Sequence, residues 1–278
     1  MIQSLLERYE IQTPQDAYQA MREIVQEIAL AGLYKGGFFS HAAFYGGTAL
    51  RIFHKLPRFS EDLDFTLLQK NTAFSVEPFF PFIIEECAAL GLSIDIQKKI
   101  KTNRSPIESA FLKTDTNLYN LYFNSKEIQK TIKIKIELDT SPPFGFQTEE
   151  KLSLVPYSFY VKCIKLHDLF ADKVSAVLFR TWKHRVKGRD WFDFEWYVRK
   201  NQSLRLDHLV QRLLDGGHLS KAESFSKDKL AQMLYEKIDS VNFDLIKADV
   251  IPFIKDSSIL DIWDKAYFKD LTNQIRII

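Results

Sequence analysis

From Thr131 to Asp139 the chain reads Thr-Ile-Lys-Ile-Lys-Ile-Glu-Leu-Asp, with Ile132, Ile134, Ile136 and Leu138 alternating with Lys133, Lys135, Glu137 and Asp139. A two-residue period gathers all four apolar side chains on one side of an extended strand, whereas a helix would scatter them. The chain must therefore build a sheet with one face on a core and one face turned to polar surroundings. Asp62-Leu63-Asp64-Phe65-Thr66-Leu67 has the same alternation, so it forms a second strand with Asp62 and Asp64 pointing the same way.

Around these strands the pattern is mixed. Thr13, Pro14 and Asp16 open a helix that runs to about Gly32, with a capping hydroxyl, a first-turn proline and an acid near the positive end. Gly36-Gly37 breaks it, and Phe38 to Tyr45 reads as an apolar strand ending at Gly46-Gly47. Thr48 to His54 is a short helix closed by Pro57, and Ser75 to Leu90 is helical with its regular part starting near Pro81. Ser141 to Gly145 is a turn. Beyond about Val161 the signals are helical, at Asp168 to Arg180, Arg189 to Lys200, Leu204 to Leu214, Lys227 to Val241 and Ile259 to Ile275. The expected fold is α+β: a small mixed sheet with flanking helices over residues 1–155, then a mainly helical lobe over 156–278.

The composition excludes several classes. With 46% hydrophobic and 27% charged residues the chain can bury a core, and no apolar run approaches the length that spans a bilayer. The first residues carry acids and lack a secretory pattern, and Cys87 and Cys163 lie far apart at no metal-ligand spacing. These features point to core thiols and a cytoplasmic protein. A net charge of +2 marks no general polyanion binder, so any nucleic-acid contact must come from a local patch.

Two carboxylates one apolar residue apart on a strand, Asp62 and Asp64, set hard oxygen ligands side by side, which suits Mg²⁺ or Mn²⁺ with substrate phosphates. A solvated strand face would read the same. Upstream, Gly46 and Gly47 let backbone approach a phosphate, Thr48 offers a hydroxyl, and the amides of a helix start favour an anion; a plain strand-to-helix turn is the alternative. A third ligand would come from the polar side of 131–139, where Glu137 is the choice. Arg180, Lys183, Arg185 and Lys187 form a basic segment that is either a solvated loop or a clamp for a polyanion. Trp191, Phe192, Trp196 and Tyr197 read as core.

Taken together, Gly46-Gly47-Thr48-Ala49-Leu50-Arg51 and Arg58-Phe59-Ser60-Glu61-Asp62-Leu63-Asp64-Phe65 resemble the signature of the AbiEii/AbiGii toxin family, within the polymerase-beta-like nucleotidyltransferase superfamily. Lys135-x-Glu137, Asp168-Leu169-Phe170-Ala171-Asp172-Lys173 and Arg189-Asp190-Trp191-Phe192-Asp193 continue the likeness, which covers roughly residues 40–200. Thr48 stands where many superfamily members carry serine, and it keeps the hydroxyl. The resemblance implies that Gly46, Gly47 and Thr48, with Arg58 and Ser60 nearby, hold a nucleoside triphosphate. Asp62 and Asp64 would bind the metals, Lys173 would contact phosphate, and Arg189, Asp190 and Asp193 would complete the pocket.

The expected reaction is transfer of a nucleoside monophosphate from the triphosphate to an acceptor hydroxyl, with Asp62, Asp64, Glu137 and Lys173 as the catalytic set. The resemblance suggests an RNA acceptor such as transfer RNA, in a toxin–antitoxin or phage-defence setting with a cognate antitoxin. A small molecule or a protein side chain is the alternative acceptor, and a non-catalytic nucleotide- or RNA-binding module is the alternative class. A metal-dependent phosphohydrolase would draw on histidines, which are scattered here.

Overall fold

The computed structural model describes residues 2–98, 116–125, 130–141, 145–180, 187–220 and 224–278. The chain divides into two compact units. The first comprises residues 1–55, 59–142 and 148–163, and the second comprises 56–58, 143–147 and 164–278. The expected turn at Ser141 to Gly145 falls largely at 142–144, outside the described residues.

The first unit opens with α1 (Ile2–Leu6) and α2 (Pro14–Lys35). Thr13 caps α2 as its composition requires: its hydroxyl accepts from the Asp16 amide, and Asp16 in turn accepts from the Thr13 amide at 2.9 Å. The helix runs three residues past Gly32. That glycine is a packing residue, because a Cβ there would lie 2.6 Å from Ile83 Cα on α4 (Phe80–Ala89).

The expected strand from Phe38 is shorter than the apolar run. Gly37, at φ +78°, opens a single 3₁₀ turn at Phe38–Ser40, with the Ser40 hydroxyl donating to the Gly37 carbonyl at 2.7 Å, and only β1 (Ala42–Tyr45) is extended. Next come α3 (Gly46–His54), β2 (Asp62–Leu67), β3 (Ile94–Lys98), β4 (Thr116–Ser125), β5 (Lys130–Asp139), β6 (Thr148–Ser153) and β7 (Phe159–Ile164). They form one seven-stranded sheet in the order β3-β4-β5-β2-β1-β7-β6, mixed as expected but larger. Strands β2 and β5 are parallel neighbours, while β1 and β2 are antiparallel.

The alternation read from the sequence sets the core. Ile132, Ile134, Ile136 and Leu138 of β5, and Leu63 and Phe65 of β2, are all buried against α2 residues such as Ile24 and Ile28. Cys87 and Cys163 are free buried thiols, and burial pushes the Cys87 thiol up to about 12.

The second unit is helical: α5 (Leu166–Phe179), α6 (Gly188–Arg199), α7 (Leu206–Asp215), α8 (Lys227–Ser240), α9 (Phe243–Val250) and α10 (Lys265–Asn273). A two-stranded parallel pair, β8 (Ser203–Leu204) with β9 (Arg276–Ile277), takes the start of the segment expected as a helix from Leu204. The expected Ile259 to Ile275 helix divides because Asp264 starts a new one, its carboxylate accepting from the Tyr267 amide at 2.8 Å. Trp191, Phe192, Trp196 and Tyr197 are buried, as the sequence suggests. No described helix is long and apolar enough to cross a membrane.

Candidate active site

In the first unit the strand register gathers the acidic residues. Asp62 lies opposite Lys135 and Asp64 opposite Glu137 across the parallel β2–β5 pair, so the three carboxylates and Lys135 share one face of the sheet. Asp62, Asp64 and Glu137 are all partly exposed, in contrast with Leu63 and Phe65 on the other face.

The turn between β1 and α3 is built around Asp64. Tyr45, the last residue of β1, pairs with Asp64. Gly46 follows at φ +80°, a conformation that favours glycine, and a Cβ there would collide with Asp64 Oδ2 and lie 3.1 Å from its Cγ. Gly46 is thus required twice, by the backbone and by the carboxylate beside it. Gly47 lies in the first turn of α3, whose N-cap residue Tyr45 supplies no capping side chain. Thr48 is buried and its hydroxyl donates to the Asp62 carbonyl, tying α3 to β2. That bond commits the hydroxyl that the sequence offers to a phosphate. The Ser60 carbonyl accepts from Gln26 Nε2 at 3.2 Å.

The Glu137 carboxylate is paired with the Lys135 ammonium, both side chains about one-third exposed. Among the described residues no group of three or more His, Cys, Asp or Glu is arranged as a metal-ligand cluster. The donor set of Asp62, Asp64 and Glu137 nevertheless fits Mg²⁺ or Mn²⁺: carboxylate oxygens only, partly exposed, and none from sulfur or imidazole.

The second unit places the remaining candidates very differently. Arg58 and Asp193 are both buried, and the guanidinium donates through Nε and Nη2 to the two carboxylate oxygens at 2.6 Å each. The Lys173 ammonium lies 2.7 Å from Asp190 and 2.8 Å from Asp193. Arg180 reaches Asp190 at 2.8 Å. Burial alone would push the Asp193 carboxyl up, but Arg58 and Lys173 outweigh it and hold it below the usual carboxylate range. Asp190 is lowered too, burial again being outweighed, here by Lys173, Arg180 and Lys187. Lys173 is lowered by burial yet ends up raised because both carboxylates face it.

Lys187, expected to meet an acceptor, is half-buried at the start of α6. Burial pushes its ammonium down to about 8, with Asp190 opposing that shift and the neighbouring Arg180, Lys173 and Arg189 adding to it. Arg189 turns elsewhere, over the Phe253 ring at 4.1 Å and toward Asp249. Lys183 and Arg185 lie outside the described residues. Asp168, read as a helix cap, instead sits in the first turn of α5, which begins after Lys165; it accepts from the Gln147 amide at 2.6 Å and pairs with Arg205 at 3.0 Å. Asp172, read as exposed, meets His208 at 3.2 Å and Arg212 at 3.0 Å. In the sequence Lys135 falls on a charged face and in the Lys135-x-Glu137 motif with no role given to it, although its two-residue spacing from Glu137 is the signal that the two side chains meet.

The sequence profile described as "Nucleotidyl transferase AbiEii toxin, Type IV TA system" matches residues 28–269. No curated protein matches the chain. Among solved structures, JHP933 from Helicobacter pylori is 18% identical, with a TM-score of 0.48 over 92% of this chain and 88% of that one. A provisionally assigned nucleotidyltransferase from H. pylori is 19% identical, with a TM-score of 0.45 over 91% of this chain and 87% of that one. At those scores neither neighbour bears on the assignment.

Proposed function

We propose a reaction that starts from one premise: the chain belongs to the AbiEii nucleotidyl transferase toxin family of type IV toxin–antitoxin systems. On this reading the protein transfers a nucleoside monophosphate from a triphosphate to a hydroxyl of RNA, with transfer RNA the leading acceptor. The observation that carries the reading is the fit of Gly46 to Asp64, where the turn before α3 spares a side chain at the place the carboxylate occupies. A strand-to-helix turn needs no such clearance for its own sake.

Asp62, Asp64 and Glu137 would hold a divalent cation, Mg²⁺ or Mn²⁺. When bound, such a cation neutralises triphosphate charge and makes an acceptor hydroxyl a better nucleophile. Gly46 and Gly47 leave the backbone of the turn open to phosphate oxygens, and the amides at the start of α3 favour that charge. Thr48 acts by holding α3 on β2 through the Asp62 carbonyl, which keeps the Asp62 backbone in place. The acceptor oxygen then bonds to the alpha phosphorus and pyrophosphate leaves.

For the second unit the proposal divides the residues by burial. Asp190 and Asp193 clamp Lys173 and Arg58, and so position α6 on α5. Arg180, exposed at one end of the cluster, and Lys187 meet acceptor phosphates, together with Lys183 and Arg185.

The test is incubation of the full chain with each alpha-labelled triphosphate, Mg²⁺ and total cellular RNA. Label in RNA supports the reading. Label in protein or in a small molecule would move the acceptor to the alternative class, and no transfer with any triphosphate would leave a binding module. Family membership further predicts that expression slows growth and that Asp64→Ala relieves it, measured at equal protein levels.

A further inference from the structure

We infer that Lys135 is a built-in counter-cation that holds Glu137 in the metal-free protein and yields it to a divalent cation, so that this one side chain sets the metal affinity of the Asp62/Asp64 face. The inference rests on the metal reading above and deepens it. Two observations carry it. The two-residue spacing puts Lys135 and Glu137 on the same face of β5, and the parallel register sets them opposite Asp62 and Asp64, so Lys135 shares that face with three carboxylates. Its ammonium is closed onto Glu137.

Exposure decides that the pair can exchange. Lys135 and Glu137 keep about one-third of their side-chain surface in solvent, so separating them leaves neither charge stranded in a dry interior. The Arg58–Asp193 pair, by contrast, is buried, and breaking it strands a charge. A divalent cation brings twice the charge of an ammonium and prefers carboxylate oxygens, so it outcompetes Lys135 for Glu137. The displaced ammonium is tethered to the same face, where it can meet the phosphates of an incoming triphosphate. Metal binding would thereby prepare the face for the second substrate.

The experiment is a titration with Mn²⁺ alone, without nucleotide, reading free Mn²⁺ by electron paramagnetic resonance. The full chain is compared with Lys135→Met, Lys135→Gln, Lys135→Arg, Glu137→Gln and the Lys135→Met/Glu137→Gln double variant, each checked for folding by its thermal melt. Freeing Glu137 from its counter-cation should tighten Mn²⁺ binding about tenfold in both neutral variants. Lys135→Arg should bind like the parent, because it keeps the charge. Glu137→Gln should bind more weakly, and adding Lys135→Met to it should gain little, since the carboxylate under competition is gone. Unchanged or weaker binding in the neutral variants, while the parent binds Mn²⁺, would overturn the role of Lys135 and leave the metal reading standing. No Mn²⁺ binding by the parent or any variant would overturn the metal reading itself, and the inference with it.

Discussion

Two clusters of aspartates in this chain share a residue type and differ in their surroundings. Asp62 and Asp64 stand on a strand, partly exposed, beside Glu137 and its lysine. Asp190 and Asp193 stand on a helix, buried, each gripped by two cations. A carboxylate in contact with solvent can exchange its partner for a ligand at modest cost, whereas a buried carboxylate that loses its partner leaves a charge in a low-dielectric interior. Spacing alone does not separate the two kinds, since D-x-D and D-x-x-D both put the acids on one side of their element. Burial separates them, and the proposed reading gives chemistry to the first cluster and cohesion to the second.

The sharpest way to break this contrast is to delete one acid from each cluster and measure unfolding. Asp193→Ala should cost about 3–5 kcal/mol, because Arg58 is left buried without that carboxylate and Lys173 loses one of its two acids. Asp62→Ala should stay within about 1 kcal/mol, as expected of a partly exposed position outside the core. Equal losses in urea or thermal melts would remove the distinction.

A smaller effect in stability but a large one in turnover is expected for Gly46→Ala. The added methyl must coexist with Asp64 and with a positive φ, so the carboxylate has to move. A displacement on the order of 1 Å should lower transfer about 100-fold, with stability falling by about 1 kcal/mol or somewhat more. Normal turnover by this variant would show that the position of Asp64 is not critical.

The second cluster should also answer to pH. Asp190 and Asp193 have folded-state values below their unfolded ones, so the stability they contribute is present above the usual carboxylate range and is lost as pH falls through the folded values. Lys173 is raised, so its contribution is present below the ordinary lysine value and is lost only as pH climbs through the higher folded one. Asp190→Asn should therefore start less stable than the parent near neutral pH and lose less further stability in acid melts, because the titrating carboxylate is gone.

Lys187 gives the smallest expected signal. Its folded value of about 8 lies below the ordinary lysine value, so the charged form is disfavoured on folding and the ammonium is lost as pH rises through about 8. RNA affinity should weaken over that interval, and the salt dependence should flatten by roughly one released counterion. In Lys187→Gln both changes should be absent; their persistence would place the titrating cation elsewhere.

Much of the first unit was legible in the sequence because its strands have one buried face. The alternation from Thr131 to Asp139 and from Asp62 to Leu67 marks both the strands and the side that carries the acids. The Phe38 to Tyr45 run was less legible, since an apolar stretch beside Gly37 serves a turn as well as a strand. In the second unit the helices were visible and the ion pairs were not. Periodicity places Lys173 one turn into a helix, but only tertiary packing turns it onto Asp190 and Asp193 and brings in Arg58 from 135 positions away in the chain. The partner of the Thr48 hydroxyl was hidden for a related reason, because its acceptor is a backbone carbonyl on β2 that no side-chain pattern announces.

The most direct test of the central claim measures label transfer and thermal stability together in the parent, Asp64→Asn and Asp190→Asn. Asp64→Asn should lose transfer from alpha-labelled triphosphate to RNA by about 100-fold or more while melting near the parent temperature, since the site loses a charge aimed at the reacting group and the core does not change. Asp190→Asn should melt clearly lower, and transfer by its folded fraction should survive. Retained transfer by Asp64→Asn, or loss of transfer in fully folded Asp190→Asn, would contradict the division between an exposed cluster that reacts and a buried cluster that holds.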